Sequence, residues 1–152
     1  EEVKSNWENL KSKKTKKSIL SGIPKKLPTI LKAQRAQDKA SSVGFDWNSI
    51  NSVKSKLKEE MEELDAEVNG KNRGKIEDEF GDVLFTLINY SRFLKIDPEL
   101  SLKKSTEKFI GRFKILEKII KGKKQKISKI GKNELEIIWE ESKEIFQSNK
   151  MT

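Results

Sequence analysis

Over residues 75–94 the chain sets Ile76, Phe80, Val83, Leu84, Leu87 and Leu94 at helical spacing. At about 100° of turn per residue they form one broad apolar face, with Phe85 and Ile88 on the far side. A helix apolar on more than one side has to be covered from more than one direction, so this segment predicts the inner helix of a bundle. Through it runs a narrow polar line of Glu79, Asp82, Thr86 and Asn89, at i, i+3, i+7 and i+10. A Glu-x-x-Asp pair by itself often marks only a solvated first turn. Inside a covered helix the two carboxylates need partners, because an unpaired ionised group taken out of water is costly. The polar line is therefore where chemistry is expected.

The rest of the composition agrees with helices. Three prolines and eight glycines in 152 residues, with few alternating β-branched runs, predict an all-α helical bundle of about five to six helices in a single domain. The absence of cysteine and histidine removes disulfides, thiolate metal sites and the commonest proton shuttle. A metal here has to be held by oxygen, which favours Mg²⁺, with Mn²⁺ as a substitute, over zinc. No stretch of 18 apolar residues and no charged-then-apolar leader pattern is present, so the expectation is a cytoplasmic protein with no membrane partner.

A formal charge of +9 raises the question of anionic partners. Much of the excess lies in residues 11–17 and 121–132, where no aromatic side chains interleave with the lysines. Solvated connectors account for these runs better than a nucleic-acid patch does. A basic helical nucleic-acid-binding or scaffolding protein without catalysis stays as the alternative to an enzyme.

In chain order, Val3, Trp7 and Leu10 predict a short first helix, and residues 19–28, with Pro24 and Pro28, an extended connector. A helix is expected over about 27–43, ending near Gly44, and another over about 47–68 with Asp46 as its N-cap. The latter carries Ile50, Val53, Leu57, Met61, Leu64 and Val68 as a narrow stripe. Lys56, Glu60, Glu63 and Glu67 fall along one flank of it, whereas Glu59 and Glu62 point away. Residues 69–74 read as a turn, making this helix and the Glu79 helix antiparallel neighbours. Asp97-Pro98 starts a helix running to about 121, with Lys108 and Arg112 one turn apart beside Phe109, Phe113 and Leu116. A basic loop follows, then a last helix from Asn133 or Glu134 whose apolar face is Leu135, Ile138, Trp139 and Phe146, with frayed final residues.

Two helices thus each offer an i, i+3 carboxylate pair, Glu60 with Glu63 and Glu79 with Asp82, about 5–6 Å apart at Cβ. Four hard oxygen groups between antiparallel helices repel one another unless a cation sits among them. Because Mg²⁺ takes a few carboxylates plus substrate phosphates, a polyphosphate is the fitting ligand.

These residues resemble the MazG nucleoside triphosphate pyrophosphohydrolases. The likeness rests on Gly22-Ile23-Pro24 with Leu27-Pro28, on Val43-Gly44-Phe45-Asp46-Trp47, on Glu59-Glu60-Met61-Glu62-Glu63-Leu64 and on Glu79-Phe80-Gly81-Asp82-Val83-Leu84-Phe85. It continues through Asn89, Arg92, Lys108-Phe109, Arg112-Phe113 and Glu117, so that it spans about 22–143. It is nearest the C-terminal catalytic half of the tandem-domain members. The resemblance implies one all-α, NTP pyrophosphatase-like domain over 1–152, with 1–20 as N-terminal helix and basic linker and 21–148 as catalytic bundle, paired as a homodimer. It also implies Mg²⁺-dependent hydrolysis of a nucleoside triphosphate substrate to the monophosphate and pyrophosphate, in the role of nucleotide-pool cleaning.

By the same likeness the metal ligands are Glu60, Glu63, Glu79 and Asp82, the four that the helical wheels select, with Glu59 beside them in the catalytic set. Lys56, Glu59 and Lys75 would line the nucleotide site, Lys108 and Arg112 hold phosphates, and Trp139 with Lys143 contact the nucleotide. Glu59 or Glu63 would accept the proton of the attacking water. Read from the residues alone, Lys108 and Arg112 serve equally as surface cations, and Trp139 is more often core. The basic 121–132 stretch and Ser41-Ser42 depart from the family pattern. Relatives of similar architecture hydrolyse dUTP or phosphoribosyl-ATP, so base choice does not follow from the acids.

Overall fold

A computed structural model describes residues 17–151. The helix expected around Val3, Trp7 and Leu10 lies outside them. The described residues form α-helices and two short 3-10 turns with no strand, as expected of an all-α chain. They are α1 (Thr29–Ser42), α2 (Ile50–Gly70), α3 (Arg73–Phe93), α4 (Pro98–Gly122) and α5 (Lys132–Met151). No helix among them is long and apolar enough to cross a membrane.

Local chemistry sets the boundaries. Residues 19–28 are not extended throughout, because Ser18 Oγ accepts from the Leu20 amide at 3.2 Å and starts a 3-10 turn, Ile19–Gly22. Pro28, with its fixed φ, stands at the N-cap of α1. Asp46 does not cap the next helix. Its carboxylate accepts from the Trp47 amide, from Ser41 and from Arg92, and α2 starts at Ile50 under Ser49, whose hydroxyl accepts from the Ser52 amide at 3.2 Å.

Lys71, in the left-handed region at φ 58, closes α2, and Asn72 caps α3 through the Lys75 amide. So short a connector returns the chain on itself, so α2 and α3 lie antiparallel and pack along their length. Pro98 opens α4 as predicted. A 3-10 turn, Ile127–Lys129, interrupts the basic loop, and α5 continues to Met151 instead of fraying.

The chain divides into two compact units. In the first, ending at Glu99, α3 packs against α2 and α1. Val53 is fully buried, with Ile50, Leu57 and Leu64 half-buried, whereas Met61 and Val68 of the expected stripe are exposed. Nor is α3 the covered helix that its apolar content predicts. Phe80, Leu84 and Leu87 are 54%, 48% and 48% exposed, because α1 and α2 cover only its other faces. The second unit, from Leu100 onward, has its own core of Leu116, Ile120 and Ile138, flanked by Phe113, Ile119, Leu135 and Trp139.

Candidate active site

The antiparallel hairpin of α2 and α3 brings together carboxylates that are far apart in sequence. Glu60 of α2 faces Glu79 and Asp82 of α3, and one oxygen of each lies within 4.8 Å of the other two. Glu60 is only 6% exposed. Its cation is Lys56, one turn earlier, whose Nζ stands 2.7 Å from Glu60 and 2.8 Å from Glu59. Hydrogen bonds to Glu59 and then Glu60 push the Lys56 ammonium well above the ordinary lysine range, so it stays charged. No lysine or arginine among the described residues pairs with Glu79 or Asp82. Three carboxylates against one ammonium leave the cluster negative.

Glu79 and Asp82 do not sit in a fraying first turn. Since α3 begins at Arg73, Asp82 is more than two turns inside it. Glu63 stands outside the close trio, exposed and one turn beyond Glu60. Desolvation by neighbouring protein atoms, then the charge of Glu60, raises its carboxyl above the ordinary value, with Glu79 and Glu59 adding and Lys56 opposing.

Beside the acids opens a cavity of about 650 Å³. Lys56, Glu60 and Asp82 belong to its wall, and so do Thr86 and Asn89, which continue the polar line along α3. Ala36 and Ala40 of α1, Phe45 and Trp47 of the connector, and Phe85 give it an apolar and aromatic surface, beside the polar Gln37, Asp46 and Arg92. Gln37 lies between the two alanines, 6% exposed, and its Nε2 donates to the Phe85 carbonyl at 2.8 Å.

Arg92 ties this wall together. Its Nε donates to Asp38 at 2.9 Å, Nη1 to Asn89 Oδ1 at 2.6 Å and Nη2 to Asp46 at 3.1 Å. Ser41 Oγ donates to the same Asp46 carboxylate at 2.7 Å. The Arg92 hydrogen bond, assisted by Ser41 and the Trp47 amide and opposed by burial, holds the Asp46 carboxyl below its ordinary value. The Phe45–Trp47 connector is thereby fastened to both α1 and α3.

The other candidate residues divide between the two units. Lys75 pairs with Glu67 at 3.4 Å near the hairpin turn, and neither it nor Glu59 lines the cavity. Lys108, Arg112, Trp139 and Lys143 belong to the second unit. Lys108 is exposed, and the Arg112 guanidinium lies 5.8 Å from the centre of the Phe146 ring. Trp139 packs on that unit's core, 5.6 Å from the Phe109 ring centre, and Lys143 pairs with Glu140 at 2.6 Å. Sequence reasoning missed Gln37 as a site residue. Its only signal was one amide between two alanines at helical spacing, a pattern that surface helices share.

A family model described as the MazG nucleotide pyrophosphohydrolase domain matches residues 48–125. The nucleoside triphosphate pyrophosphohydrolase/pyrophosphatase MazG of Thermotoga maritima is 39% identical over 140 residues, covering 90% of this chain and 54% of that protein. The nucleoside triphosphate pyrophosphohydrolase of Escherichia coli K12 is 33% identical over 148 residues, 93% of this chain and 56% of that protein. The YabN protein of Bacillus subtilis is 36% identical over 147 residues but has only 30% of its length matched. The chain thus spans about half the length of the first two relatives.

Proposed function

We propose, on the premise that this chain belongs to the MazG nucleotide pyrophosphohydrolase family, that it hydrolyses nucleoside triphosphates to a nucleoside monophosphate and pyrophosphate with the help of Mg²⁺. The observation that carries this reading is the convergence of Glu60, Glu79 and Asp82 within 4.8 Å at the edge of an aromatic cavity. The donor set fits the ion. All three groups are hard oxygens, Glu60 is buried with a single cation, and the excess negative charge has no other compensation among the described residues. Glu60, Glu79 and Asp82 would hold the metal, with Glu63 one turn along α2. When bound, the ion supplies charge neutralisation of phosphate oxygens and a water of lowered pKa.

The chain's own residues do the remainder. Lys56 orients the Glu60 carboxylate and keeps a permanent positive charge on the cavity wall, where a phosphate oxygen is to be bound. Of the two carboxylates considered for the proton of the attacking water, Glu59 is engaged by Lys56 at 2.8 Å, which leaves Glu63 as the acceptor. Lys75, Lys108, Arg112, Trp139 and Lys143 keep their proposed contacts to phosphate and nucleotide on the family likeness. A homodimer, and a cytoplasmic location, complete the reading. The exposed Phe80, Leu84 and Leu87 on one face of α3 are the surface that a second copy would cover.

Incubation with each nucleoside triphosphate in Mg²⁺ and in EDTA, with pyrophosphate separated from orthophosphate, tests the activity. Pyrophosphate and monophosphate only in Mg²⁺ is the expected result; orthophosphate and a diphosphate would overturn it. No turnover, with nucleic-acid binding that falls steeply as salt rises, would return the chain to the alternative reading.

A further inference from the structure

The second unit carries a charge pattern that the proposed hydrolysis does not use. From Leu100 to Lys132 the chain holds twelve lysines and arginines against two acids, Glu107 and Glu117, a net +10 where the whole chain is +9. Helical geometry sorts these cations. With Lys103 as origin and about 100° per residue, Lys103, Lys104, Lys114, Lys118 and Lys121 fall within one sector of α4 about 100° wide. Leu116 and Ile120, buried in the core of that unit, lie at about 220–260°, on the opposite side. Lys108 and Arg112, which the hydrolysis reading gives to substrate phosphate, lie at about 140–180° and stay outside the sector. All five lysines are exposed, and none forms an ion pair among the described residues.

The loop after α4 prolongs this face. Lys124, Lys126, Lys129 and Lys132 are exposed and without an acid, whereas Lys123 stands 3.8 Å from Glu134. Lys114, Lys118 and Lys121 repel one another at i, i+4 and i+7, and a polyanion laid along them relieves that repulsion. From Lys103 to Lys121 the helix rises about 27 Å, a straight row of positive charge. A nucleic-acid duplex offers the matching row, about one phosphate charge per 1.7 Å of its axis. Contacts to that backbone need no aromatic side chains, whose stacking is the requirement of single strands. A membrane surface fits less well, because a helix lying on lipid inserts the apolar side opposite its lysines, and in α4 that side is committed to the core. We propose that the lysine face of α4, continued by the loop between α4 and α5, docks on the phosphate backbone of a nucleic-acid duplex without reading its sequence. The surface uses none of the acid-cluster residues, so it stands independently of the hydrolysis.

The test is fluorescence anisotropy of labelled 20-base-pair duplexes of mixed sequence, DNA and RNA, titrated with the full chain across a salt series. Engagement of five or six phosphates predicts a slope of about −5 in log affinity against log salt, a loss of about a thousandfold between 50 and 200 mM. Binding of either duplex in this way supports the proposal. A triple variant, Lys114→Gln with Lys118→Gln and Lys121→Gln, keeps helix propensity at exposed positions and is expected to flatten the slope by about 3 and weaken binding at 50 mM at least tenfold. A second triple in the loop, Lys126→Gln with Lys129→Gln and Lys132→Gln, is expected to act in the same direction. Lys25→Gln with Lys26→Gln and Lys54→Gln makes the same charge change at exposed positions of the first unit and is expected to stay within about twofold of the parent. Helical circular dichroism melts confirm that each variant is folded. No duplex binding at 50 mM salt, or equal losses in all three triples, would overturn the proposal. So would tighter binding of a single strand, of polyglutamate or of phosphatidylglycerol vesicles than of the duplex.

Discussion

Asp82→Asn separates a metal site from a decorative pair of acids by the sign of a stability change. Asp82 has two carboxylates within 4.8 Å, Glu60 and Glu79. At that distance one like-charge pair costs about 3.5 kcal/mol at an effective dielectric of about 20 and about 0.9 kcal/mol in bulk water. Since Asp82 is exposed, screening draws the sum for both pairs toward the lower figure, about 1–2 kcal/mol in all. Asparagine has nearly the same helix propensity and shape, so the substitution removes the charge and little else. Nor does it remove a helix-dipole benefit, because Asp82 lies well inside α3.

The variant in EDTA is therefore expected to melt about 3–6 °C higher than the parent. With Mg²⁺ at a hundred times its dissociation constant, the parent gains about 2.7 kcal/mol by mass action, and Asp82→Asn loses most of that gain. Thermal melts of both proteins in EDTA and in Mg²⁺ read all four values. An Asp82→Asn protein that is less stable in EDTA and still receives the full Mg²⁺ shift would refute the reasoning.

Arg92→Gln is expected to destabilise by about 2–3 kcal/mol at neutral pH, because it leaves Asp38, Asp46 and Asn89 without their shared donor. The Asp46 carboxyl is depressed in the folded state, so its contribution is complete at neutral pH and is lost as pH falls through the folded value, below about pH 4. Denaturant melts across pH should show the parent losing this stability in acid and the variant already lacking it; parallel curves would refute the assignment. Gly111→Ala places a Cβ against the Phe146 ring, and the overlap should outweigh the gain in helix propensity and cost about 1–2 kcal/mol by urea denaturation. Leu84→Asp on the exposed face of α3 is expected to convert the proposed dimer to a species near 17.5 kDa in sedimentation. A parent already of that mass would end the dimer proposal.

Helical periodicity and a handful of capping residues carry most of the fold. Pro98, the turn before α3 and the apolar spacing along α2 to α5 placed the helices within a few residues, since a 3.6-residue period is a local property of the chain. The same wheel put Glu60 beside Glu79 and Asp82 once the turn at Lys71 made α2 and α3 antiparallel. What periodicity does not contain is how deeply neighbouring helices cover each face. Hence Phe80, Leu84 and Leu87 are exposed although their spacing describes a core, and Glu63 falls outside the trio although its spacing equals that of Glu79 and Asp82. Asp46 illustrates the competition directly. Its sequence position suits a helix cap, but Arg92, far along the chain, offers its carboxylate a charged hydrogen bond, and Ser49 caps the helix instead. Gln37 was decided wholly by tertiary structure, because only the packing of α1 against α3 buries its amide on the Phe85 carbonyl and turns an ordinary helix former into a group with one unmet acceptor.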